Sequence, residues 1–541
     1  MRFSFLIWRT LFLAILFGLI SPAFTQVQSQ KIRHILINRK NLFDGTPFQK
    51  DFPFSLANRL HIVTKESFIR REILFQEGNF IDLEKLEESE RILRRRPIFR
   101  SVVIQAQVID EESVDILIET QDVWTTSIQL TYGAAGGENY YRFGILENNF
   151  LGQGMVVGAY VRQDADRFGN GYFFRDRQFL KTRWELASTY AGDNKGNELV
   201  VDLSRPYFSR YTPSSQGVQW RKANNEIEFY RDRNIISKFD QKEAYGRAFY
   251  SHKIVESSDK IIRWFGAYEF DESRFSNMEP FSSIQLPQRR THSVILSGFE
   301  FSRQRFIKEQ GLFTFDRVED INLGWQATIE GGPSLKSLGA THNSIHYRTK
   351  FTKNFSFFPK QYWMNHYEYD SRYESGKTIA GTSRLVSFYF FKDWWKSHTA
   401  FSRLEYKTLI NPDPEDQLLL GGENGLRGYS IRQFDGNKKV LLTLEDRQIL
   451  LYDWLSLMHW GWAVFADMGV IAREGEKLSM NKVKSNVGLG LRFAPSRSVD
   501  PGFIRIDVAY ALQNNDRKSR LIFNIGASLG FGEKNNRKFK R

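Results

Sequence analysis

The stretch Leu420-Gly421-Gly422-Glu423-Asn424-Gly425-Leu426-Arg427-Gly428-Tyr429 sets four glycines around one cation. Such a composition suits a tight loop that delivers a single guanidinium to one place, where a carboxylate can hold it bidentately. Among the carboxylates that follow, Asp467 stands in Phe465-Ala466-Asp467-Met468-Gly469. By strand alternation Asp467 points with His459, Gly461 and Ala463, opposite Trp460, Trp462 and Val464. The chemistry on offer is an ion pair inside a wall rather than the making of bonds.

Other reactive patterns fail on inspection. Ser375-Gly376-Lys377-Thr378 matches the end of a phosphate-binding loop, but Ser371 stands where that loop needs its first glycine. His342 and His346 are spaced to share a strand face, with no third ligand in view, so no metal is expected. There is no cysteine, no GxSxG and no HExxH, and no acid–base pair can be placed among the carboxylates. The expectation is a protein that is not an enzyme and has no cofactor.

The first question about position is compartment. Arg2 and Arg9 precede an apolar run from Leu11 to Ile20, and Ser21-Pro22-Ala23-Phe24-Thr25 offers small residues for cleavage. That order predicts a secretory signal over 1–25. The alternative is an N-terminal anchor, though the run falls short of the roughly 20 residues that span a bilayer. Beyond residue 25 no stretch of 18 apolar residues occurs. Mean hydropathy is −0.44, yet aromatic residues make up 15% of the chain. Aromatic girdles around a polar lumen account for that combination in a membrane barrel. An exported chain without cysteine must hold its fold by closure or by a large core. The net charge of +14 is scattered, and with the export signal it argues against nucleic acid. Outer-membrane lipid and lipopolysaccharide headgroups are the expected counter-charges, or the cations simply face water.

Residues 31–123 read as a small α+β domain. Lys31 to Ile37 suggests a strand, and Glu66 to Gln76 a helix stopped at Gly78. Asp82 to Arg96 suggests a second helix capped by Asp82 and ended by Pro97. Strands around Ser101–Val108 and Ser113–Glu119 complete a strand, helix, helix, strand, strand order. An exposed sheet edge of such a domain can accept another chain's strand; a plain spacer is the alternative. Arg94-Arg95-Arg96 reads as a solvated helix end.

From 125 to 531 the period becomes two. Ile504, Ile506, Val508, Tyr510 and Leu512 alternate with Arg505, Asp507, Ala509 and Ala511, and Val487, Leu489, Leu491 and Phe493 with Gly488, Gly490 and Arg492. An apolar outer face and a polar inner face predict an antiparallel transmembrane β-barrel, which must close because backbone groups in lipid have to be paired. A soluble all-β domain is the competing reading. Five strand candidates follow the glycine-rich loop, over 438–447, 459–470, 484–494, 502–513 and 519–531.

Taken together, LGGENGLRGY at 420–429 and FADMG at 465–469 resemble the LGGxxxxRGY and FxDxG motifs of the BamA/TamA superfamily of outer-membrane barrels. Glu147 to Gly154 is similar to that family's NxLGxG stretch, and Leu442 to Arg447 to the strand after its conserved loop. Residues 31–123 resemble one polypeptide-transport-associated (POTRA) domain. The resemblance implies about 16 strands, eleven before the loop and five after, whereas more than eleven candidates lie between 125 and 410. It implies that Gly421, Gly422, Arg427, Gly428 and Tyr429 fold back into the lumen against Phe465, Asp467 and Gly469, with Glu445 and Arg447 facing the same lumen. Phe531 stands where the family closes its last strand, but a basic tail, 532–541, follows it. The implied location is the outer membrane, with the N-terminal domain in the periplasm. The implied function is insertion of outer-membrane proteins or translocation of an unfolded polypeptide client, with periplasmic accessory proteins as partners. Lipid or lipopolysaccharide transport, envelope maintenance, and a passive pore or surface antigen remain open beside it.

Overall fold

The computed structural model describes residues 30–528, apart from 48, 136–137, 164–166, 258, 277–285, 313–317, 455–456, 497–502 and 514–520. The expected signal segment, Phe531 and the basic tail lie outside the described residues. The chain divides into two compact units, Met1–Val123 and Trp124–Arg541.

In the first unit β1 (Lys31–Lys40) pairs in parallel with β3 (Ser113–Asp122), which pairs antiparallel with β2 (Phe99–Val108). The middle strand β3 supplies Val114, Ile116 and Ile118 to a core shared with Ile32 and Ile35. Among the described residues three helices accompany the sheet: α1 (Phe54–Leu60), α2 (Glu66–Glu72) and α3 (Leu83–Arg94). The expected order had two. The additional α1 is held by side-chain contacts rather than by an apolar period. Phe54 packs edge-on against Phe43 at 4.9 Å, and the Asn58 side chain accepts from the Phe43 amide. The expected helix from Glu66 runs only to Glu72, because Ile73 turns extended and, with Phe75, enters the core. Asp82 caps α3 by accepting from the Lys85 amide at 3.2 Å.

One carboxylate in this unit is out of its ordinary range. Asp122, 1% exposed, accepts from the Thr64 amide at 2.7 Å and hydroxyl at 2.9 Å. Burial nevertheless dominates and pushes its pKa up to about 6. Folding therefore favours the neutral acid. The stability this group contributes is full below its unfolded value near 4 and is lost as pH rises through 6, about 3 kcal/mol in all. Proteolysis within residues 30–123 is expected to be several-fold faster at pH 8 than at pH 5, after correction for protease activity. Asp122→Asn should flatten that dependence; an unchanged slope in the variant would assign the effect elsewhere.

The second unit is one antiparallel sheet whose strand order closes on itself. Ten strands run from β4 (Thr126–Ala135) to β13 (Arg290–Arg303), five from β16 (Trp325–Ser334) to β20 (His398–Ile410), and five from β23 (Lys438–Trp454) to β27 (Leu521–Ser528). The ring thus holds twenty strands among the described residues, which corrects the expectation of about 16. The last five coincide with the five expected after the glycine-rich loop, so the excess lies before it. The strands there pair antiparallel as separate members of the ring, some across tight turns such as Asp232-Arg233 between β10 (Ser214–Arg231) and β11 (Asn234–Glu256), and are not halves of longer ones. One candidate pair is a loop hairpin: β14 (Phe306–Gln310) and β15 (Val318–Asn322) pair with each other outside the ring. Five residues reach only ~17 Å at ~3.3 Å each, too little to cross an apolar band ~25 Å tall.

Alternation sorts the faces. Val218 and Trp220 are exposed beside buried Arg221, and Val487, Leu489 and Leu491 are exposed beside buried Asn486 and Arg492. The outer wall is thus apolar and the inner wall polar. No described helix is long and apolar enough to cross a membrane. The ring closes between β27 and β4 through three residue pairs among the described residues, Phe523 with Ala134, Asn524 with Gly133 and Ile525 with Tyr132.

Candidate functional site

Since β4 opens the ring and neighbours alternate in direction, the tenth strand, β13, ends at the rim where β4 begins, and the fifteenth, β20, ends at the opposite rim. The connection from β20 to β23 (residues 411–437) leaves from that opposite rim and carries the glycine-rich motif. It is pinched at its base by β21 (Leu418–Leu420) pairing with β22 (Phe434–Gly436). Within the pinch the chain doubles back so tightly that a Cβ at Gly421 would stand 2.3 Å from the Ser430 carbonyl oxygen, and one at Gly422 2.5 Å from that of Tyr429. Leu420, Leu426 and Tyr429 are buried with Leu441 and Ala511 of the wall. Gly469 leaves the room for this, because a Cβ there would meet Leu420 and Leu426 at 3.1–3.3 Å. Gly428 lies against Asn486 in the same manner, and the Tyr429 hydroxyl donates to the Ser485 carbonyl at 3.2 Å.

This packing delivers Arg427 to Asp467 of β24 (Met458–Ala472). Nε and Nη2 each donate to one carboxylate oxygen at 2.9 Å, the bidentate geometry that a lysine cannot reproduce. Nη1 donates to Glu445 of β23 and Asp507 of β26 (Phe503–Ala511), both at 3.2 Å. The guanidinium lies 3.4 Å from the ring centre of Phe465. Asn486 of β25 (Lys484–Pro495) donates to Asp467 at 2.8 Å. Arg492 bridges Asp507 at 2.5 Å and Glu445 at 3.2 Å, and Arg447 donates to Glu445 at 2.8 Å. Three hydrogen-bonded guanidiniums, with Arg505 also in the field of Asp507 and Glu445, thus face three carboxylates in a buried cluster, where each charge needs its partners because desolvation is costly. Every strand that the Arg427 cluster engages, β23 to β26, lies on the β27 side of the ring closure.

A second set of contacts clasps the loop from outside. The tip of the β10–β11 hairpin reaches across to it: the Asp232 amide donates to Asp435 at 3.0 Å, and Gln417 exchanges two bonds with the Tyr230 backbone. Arg473 joins the two elements, donating to Asp435 at 2.7 Å and to Asp232 at 2.8 Å.

The structure brings Arg427, Asp467, Phe465, Glu445 and Arg447 into one cluster, with Gly421, Gly422, Gly428, Tyr429 and Gly469 shaping the loop around it. Sequence reasoning did not single out Arg492, Asp507 or Asn486. Their signal was a charged or amide residue at an inward position of a strand near the motif. His342 precedes the strand that holds His346 (Ser344–Phe355) rather than sharing its face, and no group able to hold a metal occurs among the described residues. Ser375 and Gly376 form a hairpin turn, both at positive φ.

No family model matches this chain, and no curated protein does. Among solved structures, BamA from Haemophilus ducreyi lacking POTRA domains 1–3 is similar at 14% identity and a TM-score of 0.40, with 92% of this chain and 84% of that one covered. CdiB from Acinetobacter baumannii is similar at 12% identity and a TM-score of 0.46, with 92% and 74% covered. CdiB from Escherichia coli is similar at 12% identity and a TM-score of 0.44, with 92% and 76% covered.

Proposed function

We propose that this chain is an outer-membrane barrel of the BamA/TamA superfamily that inserts or translocates a polypeptide client. The observation that carries the reading is the placement of the Arg427 cluster. Its ion pairs brace β23 to β26 from inside, next to a closure of only three described residue pairs. A wall that must part at one seam without unfolding needs that kind of local support, whereas a passive pore gains nothing from a filled lumen. On this reading the N-terminal unit is a periplasmic POTRA-like domain, following a cleaved signal. It captures an unfolded client by strand addition at a sheet edge, along β2 or along β1 beyond Ile35, since the start of β1 is already bonded to Gly78 and Asn79.

Quantitative proteomics of outer-membrane and secreted fractions after depletion tests the proposal. Loss of many barrels indicates general assembly, and loss of one exported protein indicates dedicated translocation. If neither fraction changes while lipid asymmetry does, the chain handles lipid or lipopolysaccharide instead. Stable, client-independent conductance would mark a passive pore.

A further inference from the structure

The 304–324 connection, between β13 and β16, belongs to the rim where β4 begins, opposite the Arg427 loop. Its described strands, β14 and β15, pack on the inner wall. Leu312 and Ile321 are buried in one cluster with Tyr362 and Met364 of β18 (Gln361–Glu374), Phe390 of β19 (Lys377–Trp395) and Phe401 of β20. Glu309 pins the hairpin by accepting from the Tyr362 hydroxyl and from Lys392 Nζ, the latter at 2.6 Å.

Directly opposed residues of an antiparallel pair share a face. Tyr362 opposes Phe390, Phe390 opposes Phe401, Phe401 opposes Glu445, and Glu445 opposes Phe465. These residues form a single row around the inner wall. The hairpin packs on its first three members, and Arg427 rests on the last two. Arg447 joins the halves. Its guanidinium lies 4.7 Å from the ring centre of Phe401, and its Nε donates to Glu445, the residue that also receives Arg427.

We propose that the β14–β15 hairpin is a second lumen lid, coupled to the Arg427 loop through Phe401, Arg447 and Glu445, so that opening one rim loosens the other. The lid's use in passing a client rests on the function proposed above; the coupling does not. Withdrawal of the hairpin bares Phe390 and Phe401 and removes the surface that holds the Phe401 ring under Arg447. A shifted Arg447 then shares Glu445 differently with Arg427. A client entering from the hairpin rim would thereby unlock the loop at the far one.

The test uses the full chain in lipid vesicles without client, and the absence of cysteine makes single thiol reporters clean. Asn424→Cys reports the motif loop through its rate of modification by a membrane-impermeant maleimide. Leu312→Asp with Ile321→Asp should expel the hairpin and speed that reaction about fivefold or more, the usual lower range of coupling between sites. Phe401→Leu in the same background should abolish the gain. In the reverse sense, a carbodiimide amide between the native Glu309 and Lys392, 2.6 Å apart and confirmed by mass spectrometry, should slow labelling, and Lys392→Gln, which cannot form that cross-link, should not be slowed by the same treatment. Labelling that ignores both the expelled and the cross-linked hairpin overturns the coupling. If the Asp variants fail to fold, the cross-linked pair alone decides. Because no client is present, a negative proteomic result leaves this outcome independent.

Discussion

Arg427→Ala is expected to release the motif loop and to be the most damaging single substitution in the barrel. It leaves Asp467, Glu445 and Asp507, none more than 7% exposed, without the guanidinium that all three share, while Arg447 and Arg492 keep their bonds to Glu445 and Asp507. Breaking one side of a buried ion cluster costs roughly 3–5 kcal/mol, because the remaining charges keep their desolvation penalty. Arg427→Lys should recover little. An ammonium cannot hold both Asp467 oxygens while reaching Glu445 and Asp507 and lying flat on Phe465. Removing Asp467 as well should cost less than the two single losses combined, since the pair acts as a unit. The readouts are the temperature at which the barrel loses its compact migration in detergent gels and the labelling rate of Asn424→Cys. Wild-type values for Arg427→Ala in both would mean that the cluster does not hold the loop.

How much of this was legible beforehand differs from element to element, for physical reasons. The alternation in 459–470 already puts Asp467 on the inner face, because a strand offers a side chain only two directions. The same rule places Glu445 and Arg447. It equally turns Arg492 and Asp507 inward, but which inward residues meet depends on register between strands distant in the chain, and one strand's pattern carries no record of its partner's offset. The strand count was beyond reach for a related reason. β14 and β15 look like strands because they are strands, and only their five-residue length excludes them from the wall. Conversely, the tight turns at Leu180-Lys181 and Asp232-Arg233, which separate neighbouring ring strands, are set by residues at positive φ with no glycine to announce them. Helix α1 lacks an apolar repeat altogether, its position being fixed by Phe43 and Asn41 from outside the helix.

Closing the seam covalently is expected to separate the barrel's stability from its function. Phe523 and Ala134 stand directly opposite across β27 and β4, and opposed positions in an antiparallel pair lie within the Cα separation that a disulfide spans. In a chain with no other cysteine, Ala134→Cys with Phe523→Cys can form only that bond within one molecule. Three residue pairs compare with eight between β26 and β27, so the described seam is the shorter junction and the natural place to part. The oxidised variant should keep or raise its melting temperature while client delivery in cells falls at least tenfold, and a reductant should restore delivery. That combination would be hard to obtain from misfolding, because the same protein recovers without resynthesis. Normal delivery by a fully oxidised seam would show that clients do not pass between β27 and β4. The lumen between the two inserts would then be the route, and Arg427→Ala, which frees one of them, should raise delivery instead of lowering it.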